Sequence, residues 1–487
     1  MAAVVLLSSG MMAISACTVG PNYQRPVVTV PEQWRNDAKT SAAGAGAAGV
    51  AGAAGAAGAA DAAQASAVSL ADQDWWALFR DEQLQALIRE ALAGNKDLML
   101  AAARVQEVRA LLGVTRADQF PEVTAGVGAT RNRASAKTAI PRGPTSASND
   151  FNVGGDLSFE LDLWGRLRRA TESARASYLA SEEARYAVRL ALVRSVAQVY
   201  FELRDLDSQL EVAVRARDTR DASLKLATAR RRGGLTSDLD VQQATAELAS
   251  SRAVMANLDL QITQKENALN LLLGRDPGNV TRGVTLAAQQ LPPDVPAGLP
   301  SALLERRPDI RQAEQELVSA NAQIGVAKAA FFPRIALTGS LGFESAELSE
   351  LLTRSAGLWS LSGNLAAPIF NAGRNRHNLE AAKARHEQAV VAYARAVQQA
   401  FHEVENTLVA YRKTREVQDA QEAQVAAATE SLRLAEVRYR GGISTYLDVL
   451  DSQRQLLAAE LQLSQTRRAH LVSLVQLYGA LGGGWKA

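Results

Sequence analysis

The chain has 487 residues, 47% hydrophobic, 21% charged and only 5% aromatic, with 53 Lys and Arg against 51 Asp and Glu for a net charge of +2. That balance lacks the clustered basic excess of nucleic-acid binders, so no nucleic acid is expected as a partner. A single cysteine, Cys17, excludes a disulfide scaffold and a Cys-based zinc site. Catalytic signatures fail as well. His386-Glu387 and His402-Glu403 open a zincin pattern, but Val390 and Asn406 stand where the second histidine is required. There is no Gly-Lys pair, hence no Walker A loop, and Gly44, Gly46 and Gly49 spell GxGxxG inside an Ala/Gly tract with no strand before it. No enzyme activity, cofactor or metal is expected. Ala, Leu, Gln, Arg and Glu dominate, the composition of long helices.

Residues 1–16 are apolar and uncharged, the h-region of a signal peptide and too short to span a membrane. No Lys or Arg precedes them, so a charged n-region would lie upstream. Ile14-Ser15-Ala16-Cys17 resembles a bacterial lipobox, which implies cleavage before Cys17 and its acylation; Thr18 in place of Asp points to the outer membrane. The competing reading is a buried free thiol in a cytoplasmic helix. Gly20-Pro21-Asn22-Tyr23-Gln24-Arg25-Pro26 reads as an extended arm, and 41–67 is almost entirely Ala, Gly and Ser, a flexible tether. Residues 17–67 thus form a lipidated arm and tether.

The body is written twice. Arg232-Gly233-Gly234-Leu235-Thr236-Ser237-Asp238-Leu239-Asp240-Val241 returns as Arg440-Gly441-Gly442-Ile443-Ser444-Thr445-Tyr446-Leu447-Asp448-Val449, an offset of 208 (448 − 240). Gly165-Arg166 and Leu273-Gly274 return at the same offset, and Phe120-Pro121 returns at 332–333. Ordered pairs at nearly one offset (212 for Phe-Pro, 332 − 120) mean structural duplication, placed at 68–290 and 291–487 with Pro292 to Pro300 as the link.

Each half predicts two strands, about 122–131 and 152–163, then 334–344 and 358–369. Val123, Ala125, Val127 and Ala129 alternate with Thr124, Gly126, Gly128 and Thr130. Val153, Leu157, Phe159, Leu161 and Leu163 alternate with polar residues that include Asp156, Ser158 and Glu160. In the second half Ile335, Leu337, Leu341 and Phe343, then Trp359, Leu361, Leu365 and Ile369, do the same. Period two with acids on the minor face fits transmembrane barrel strands. Alternation alone fits a soluble sheet equally; the lipobox favours the barrel. Four strands cannot close a barrel, so several copies must pool them.

From Trp164 to Arg232 only Gly165 interrupts a helix of about 100 Å. Leu192, Val196, Val199, Leu203, Leu206 and Leu210 are spaced as a coiled-coil seam, as are Phe401, Val404, Leu408 and Tyr411, and Leu471, Leu474, Tyr478 and Leu481. Gly-Gly then supplies a left-handed cap and Ser or Thr starts a return helix, giving two helical hairpins.

Lipobox, arm, duplicated strand pairs and hairpin tips together resemble the outer membrane efflux factor family, the TolC-like channels, in their lipoprotein branch. The most specific pieces are the arm, the Phe-Pro strand starts and Tyr439…Gly442…Leu447-Asp448-Val449-Leu450-Asp451. The resemblance implies an α+β membrane protein: a homotrimer with one 12-stranded β-barrel, four strands per chain, continued by a periplasmic coiled-coil barrel. It implies a passive exit for drugs, solvents or metals, working with a periplasmic adaptor and an inner-membrane pump of the resistance-nodulation-division type. By the same resemblance Asp448 and Asp451 match constricting aspartate rings and Leu447 an apolar constriction. Arg454 matches a residue bonding to a neighbouring helix, and Tyr439 and Asp240 match partners that hold the tips closed. Asp448 and Asp451, at i and i+3, share a helix face, and a ring of carboxylates favours cations. Acids at a helix start also simply complement the macrodipole. The rival function, a pore-less periplasmic coiled-coil scaffold or secretion adaptor, predicts no barrel strands.

Overall fold

The backbone N–H and C=O groups of the four alternating segments pair with one another in one sheet. The computed structural model describes residues 18–31, 34, 80–135, 137, 146–289 and 300–483. The signal segment, Cys17 and the Ala/Gly tract lie outside the described residues, as does the linker before Pro300. Strands β1 (Glu122–Asn132), β2 (Ser148–Leu161), β3 (Arg334–Ser345) and β4 (Gly357–Ala366) pair antiparallel in the order β1-β2-β3-β4. Val123 faces Leu157, Leu157 faces Gly339 and Gly339 faces Leu361. The next row, on the opposite face, is Thr124, Asp156, Ser340 and Ser360. All four strands therefore turn their apolar residues to one side. That side is uncovered: Val127, Leu341 and Trp359 are 82%, 71% and 77% exposed.

The boundaries of β2 and β4 differ from the sequence expectation. β2 begins at Ser148, because Ser148–Asp150 pair with Asn132–Thr130 although none of them is apolar; backbone pairing outlasts the hydrophobic pattern. β4 ends at Ala366, since Pro368 has no N–H for a ladder, so Ile369 lies outside the strand, as Leu163 lies outside β2.

The chain folds as two compact units. One contains the sheet within 104–182 and 312–394, together with the arm up to Val27. The other contains 183–311 and 395–487 and the helical core. The helices are α1 (Glu82–Gly94), α2 (Lys96–Ala117), α3 (Arg166–Arg232), α4 (Asp238–Leu273), α5 (Pro308–Ala329), α6 (Arg374–Arg440) and α7 (Tyr446–Ala480). α3 and α6 have 67 residues each, about 100 Å at 1.5 Å per residue. The repeat is visible in the backbone: Gly165 and Gly373, Gly234 and Gly442, and Gly274 and Gly482 all take positive φ.

In the second unit the expected seams are the core. Val196, Leu203, Val404, Leu408, Leu474 and Tyr478 are buried, with Phe401 packed beside them. Several polar groups inside are paired. Asp81 caps α1 by accepting from the N–H of Gln83 at 3.0 Å, and it accepts the Tyr200 hydroxyl at 2.7 Å. Arg307 donates to the Ala480 carbonyl at 3.0 Å, closing the end of α7, and is held by Asp309 and Glu403.

His470 is one titratable group whose charged form this core disfavours. It is buried beside Tyr411, with ring centroids 4.9 Å apart, and its Nδ1 meets Gln418 at 3.3 Å. Burial depresses its pKa below the ordinary 6.5; Arg415 pushes the same way and Asp419 opposes. The folded chain favours the neutral ring, so below the ordinary pKa the unfolded chain binds the proton more readily and stability declines as pH falls. His470→Gln should flatten the fall in Tm between pH 7 and pH 5; an unchanged slope would assign the acid sensitivity to other groups.

Candidate gate at the hairpin tips

Both tips are built by the same backbone device. The N–H of Leu235 returns to the Arg230 carbonyl and that of Gly234 to Arg231, each at 2.9 Å; Ile443 and Gly442 return to Arg438 and Tyr439 at 2.9 and 3.0 Å. These paired bonds close a helix end on a left-handed residue, which Gly234 (φ 70) and Gly442 (φ 77) supply without a Cβ penalty. The return helices then start at Ser237 and Thr445.

The side chains of the two tips diverge at matching positions. In the first, Arg231 pairs with Asp238 at 2.9 Å, both side chains more than half exposed. The offset of 208 carries these to Tyr439 and Tyr446, whose rings lie 5.6 Å apart and are buried with Ala227, Val241, Ala244 and Val449. The Arg230 guanidinium sits 4.6 Å from the Tyr439 ring centroid and donates to the Tyr439 carbonyl at 3.1 Å. Burial pushes the Tyr439 phenol above its ordinary 10.0, Arg230 opposes and Asp240 adds to the rise.

Each expected gate residue has a definite place. Asp448 sits three residues into a capping box: its Oδ2 accepts the Thr445 N–H at 3.2 Å and the Thr445 hydroxyl at 3.3 Å. Asp451 accepts from Gln455 at 2.6 Å, one turn along its own helix. Leu447 is 58% exposed. Arg454 crosses from α7 to α4, donating through Nε to Glu247 at 3.0 Å.

The pairing of Tyr439 with Asp240 takes a different form. Among the described residues no hydrogen bond joins them. Asp240 instead accepts the hydroxyls of Thr236 and Ser237, the latter at 3.4 Å. It occupies in its helix start the position of Asp448 in the other, so its carboxylate is drawn to its own cap.

Sequence reasoning missed the strongest contact. Glu247, itself buried, takes Arg454 on one oxygen and Arg220 on the other at 3.1 Å; Arg220 also donates to Ser251 at 2.7 Å. Gln453 adds a cross-hairpin bond to Ser223 at 3.0 Å. One signal was available. Continued past Leu206 and Leu210, the seam spacing reaches Ala213, Arg217, Arg220, Leu224 and Ala227, so a charge falls where the coil needs a core residue.

The sequence pattern of the family described as "Outer membrane efflux protein" matches residues 87–275 and 299–483. The chain belongs to that family. It is 36% identical over 474 residues to the cation efflux system protein CusC of Escherichia coli K12, covering 97% of each chain. To the toluene efflux pump outer membrane protein TtgC of Pseudomonas putida it is 36% identical over 484 residues, covering 99% of this chain and 96% of TtgC. Among solved structures, the open state of the Neisseria gonorrhoeae MtrE outer membrane channel superposes with a TM-score of 0.83 at 34% identity, over 96% of this chain and 99% of MtrE. This channel therefore has the family's trimeric fold of strands and long coiled helices in two repeats. It is an outer-membrane channel component of a tripartite efflux system, with its helical barrel in the periplasm. The family transports. The pore-less scaffold fails on its own expectation, since four barrel-type strands are present.

The Glu247 contact sets an order of effects. Glu247→Ala leaves the buried Arg220 guanidinium without its carboxylate, with only the Ser251 hydroxyl and the residue-247 carbonyl to meet it, a loss approaching about 3–5 kcal/mol. Arg454→Ala removes a partner whose side chain is 56% exposed, worth about 1 kcal/mol or less. Thermal unfolding of the two variants checks this; equal losses would mean that Arg220 is satisfied without Glu247.

Proposed function

We propose that this channel is a homotrimeric, passive exit duct for small toxic compounds, anchored by acylated Cys17 and gated at its periplasmic hairpin tips. It receives its cargo from an inner-membrane pump of the resistance-nodulation-division type through a periplasmic adaptor. The observation that carries this reading is a sheet with two open edges beside one apolar face. β1 and β4 each pair on one side only. In hydrocarbon those unpaired backbone groups are untenable, and joining β4 of one copy to β1 of the next removes every edge. The row of Thr124, Asp156, Ser340 and Ser360 then lines a wet bore. Nothing in the duct performs chemistry; its wall is broadly polar, and the pump chooses the compound.

The strand faces give the first test. Leu341→Arg places a charge in lipid at about 2–4 kcal/mol near the midplane, whereas Ser340→Arg points into the bore. Only the first should reduce heat-modifiable trimers in outer-membrane fractions; equal yields would reject the register or the barrel.

The gate gives the second. In a trimer Leu447, Asp448 and Asp451 recur around the axis. Exposed Leu447 has no cover from its own core, which suits apposition with its copies. Single-channel recording of Asp451→Ala combined with Arg454→Ala should show raised resting conductance. Asp448→Asn keeps an acceptor for the Thr445 cap while removing the charge, and should weaken block by millimolar divalent cations from the periplasmic side. Unchanged conductance together with intact block would place the constriction elsewhere.

A further inference from the structure

The arm after Cys17 is fastened far more tightly than a tether requires. Val19 donates its N–H to the Trp164 carbonyl at 3.0 Å, three residues beyond the end of β2. Trp164 in turn donates its indole N–H to the Pro333 carbonyl at 2.8 Å and stacks on Phe332 at 4.8 Å, just before β3 begins. The arm thus starts at the junction of strands and helices, beside aromatic residues of the kind that mark a membrane interface.

It then crosses α5 at a glycine pair. Gly20 (φ +116) lies so close to Gly325 that a Cβ on Gly20 would stand 2.5 Å from the Gly325 Cα. A Cβ on Gly325 would meet the Val19 carbonyl oxygen at 2.9 Å. Glycine inside a helix costs about 1 kcal/mol relative to alanine; here the crossing explains it. Beyond it Arg169 holds the Asn22 side chain at 2.8 Å, and Asn321 donates to the Pro21 carbonyl at 3.1 Å.

The buckle is Glu314. It accepts the Tyr23 hydroxyl at 3.1 Å and Arg25 Nε at 2.8 Å on one oxygen, and the other Arg25 nitrogen on the second. Its side chain is 14% exposed. Burial and the Glu314 carboxylate both push the Tyr23 phenol upward, so it remains a proton donor.

We propose that residues 18–25 are a positioning strap, buckled on Glu314, that holds the acylated N-terminus at the membrane end of the sheet so that lipid anchoring delivers the strands to the bilayer. The proposal rests on the acylation of Cys17. Cys17 is two residues from Val19, at most about 7 Å of chain. Fastened there, acyl chains enter the leaflet where the strands must enter, and insertion becomes an intramolecular event. An unfastened arm multiplies the tether length several-fold. Effective concentration falls roughly as the −3/2 power of length, on the order of tenfold here. The strands still make their own membrane contact, so the strap sets the rate of assembly and not its end point.

Two variants attack the strap by unrelated chemistry: Glu314→Gln opens the buckle, and Gly20→Ala forces the crossing apart. The experiment is a pulse-chase of the full-length protein, reading conversion to heat-modifiable trimer, with incorporation of radioactive palmitate followed in parallel. Both variants should keep the palmitate label and slow trimer formation about tenfold, while reaching the wild-type end point. Cys17→Ser should lose the label and slow assembly equally. Either variant in the Cys17→Ser background should add less than twofold. The charge exchange Arg25→Glu with Glu314→Arg should restore part of the rate. Slowing that multiplies in the Cys17→Ser background, or wild-type rates in both strap variants, would overturn the strap. A wild-type chain that takes no palmitate would overturn the acylation on which it rests, and that failure is read from the label alone.

Discussion

A backbone N–H or C=O without a partner cannot remain in hydrocarbon. In the family's fold the four-stranded sheet is the part that forms the barrel. Its register supplies a continuous apolar face but leaves one ladder open on β1 and one on β4. Closure therefore cannot come from within one chain. The requirement for several copies follows from four strands per chain, and the symmetric recurrence of every tip residue follows from the copies. A single exposed contact worth about 0.5–1 kcal/mol becomes a few kcal/mol when a gate repeats it three times.

The duplicated chain keeps some physics and discards other physics. Glycines of positive φ and an acid three residues into each return helix recur at the offset, because both serve the local closure of a helix end. The contact across each tip does not recur. Arg231 with Asp238 is an exposed ion pair, screened by salt and worth little. Tyr439 with Tyr446 is a buried aromatic pair, which adds about 0.5–1.5 kcal/mol beyond the area it covers and is insensitive to salt. The two hairpins are thus unequal, and the second tip is the firmer of the two. Arg454 and Gln453 tie that hairpin to the first through Glu247 and Ser223.

Much of this was legible in the sequence because it rests on periodicity. The strand faces follow from period two, the seams from the 4, 3 spacing, and the caps from Gly-Gly followed by Ser or Thr. The early start of β2 was not legible, since Ser148, Asn149 and Asp150 have no strand propensity and are recruited by pairing with β1. Nor was the Glu247 contact. A carboxylate inside a long helix looks like any solvated residue until the partner helix brings Arg220 and Arg454 to it. Asp240 shows the same limit from the other side: its position matched a lock, but its own cap is nearer and claims the carboxylate.

Asp448 brings the two accounts of an acid at a helix start together. As a cap residue it needs only its own chain, and the capping box satisfies that account. As part of the proposed ring it would stand near two copies of itself, and like charges in a narrow bore repel. The N-terminus of each return helix carries roughly half a positive charge, and the Thr445 N–H points at the carboxylate. In that proposed ring three helix ends about an axis would supply positive potential where three carboxylates need it. In the proposed trimer each carboxylate keeps its own cap, so that an acid that starts a helix also faces an entering cation.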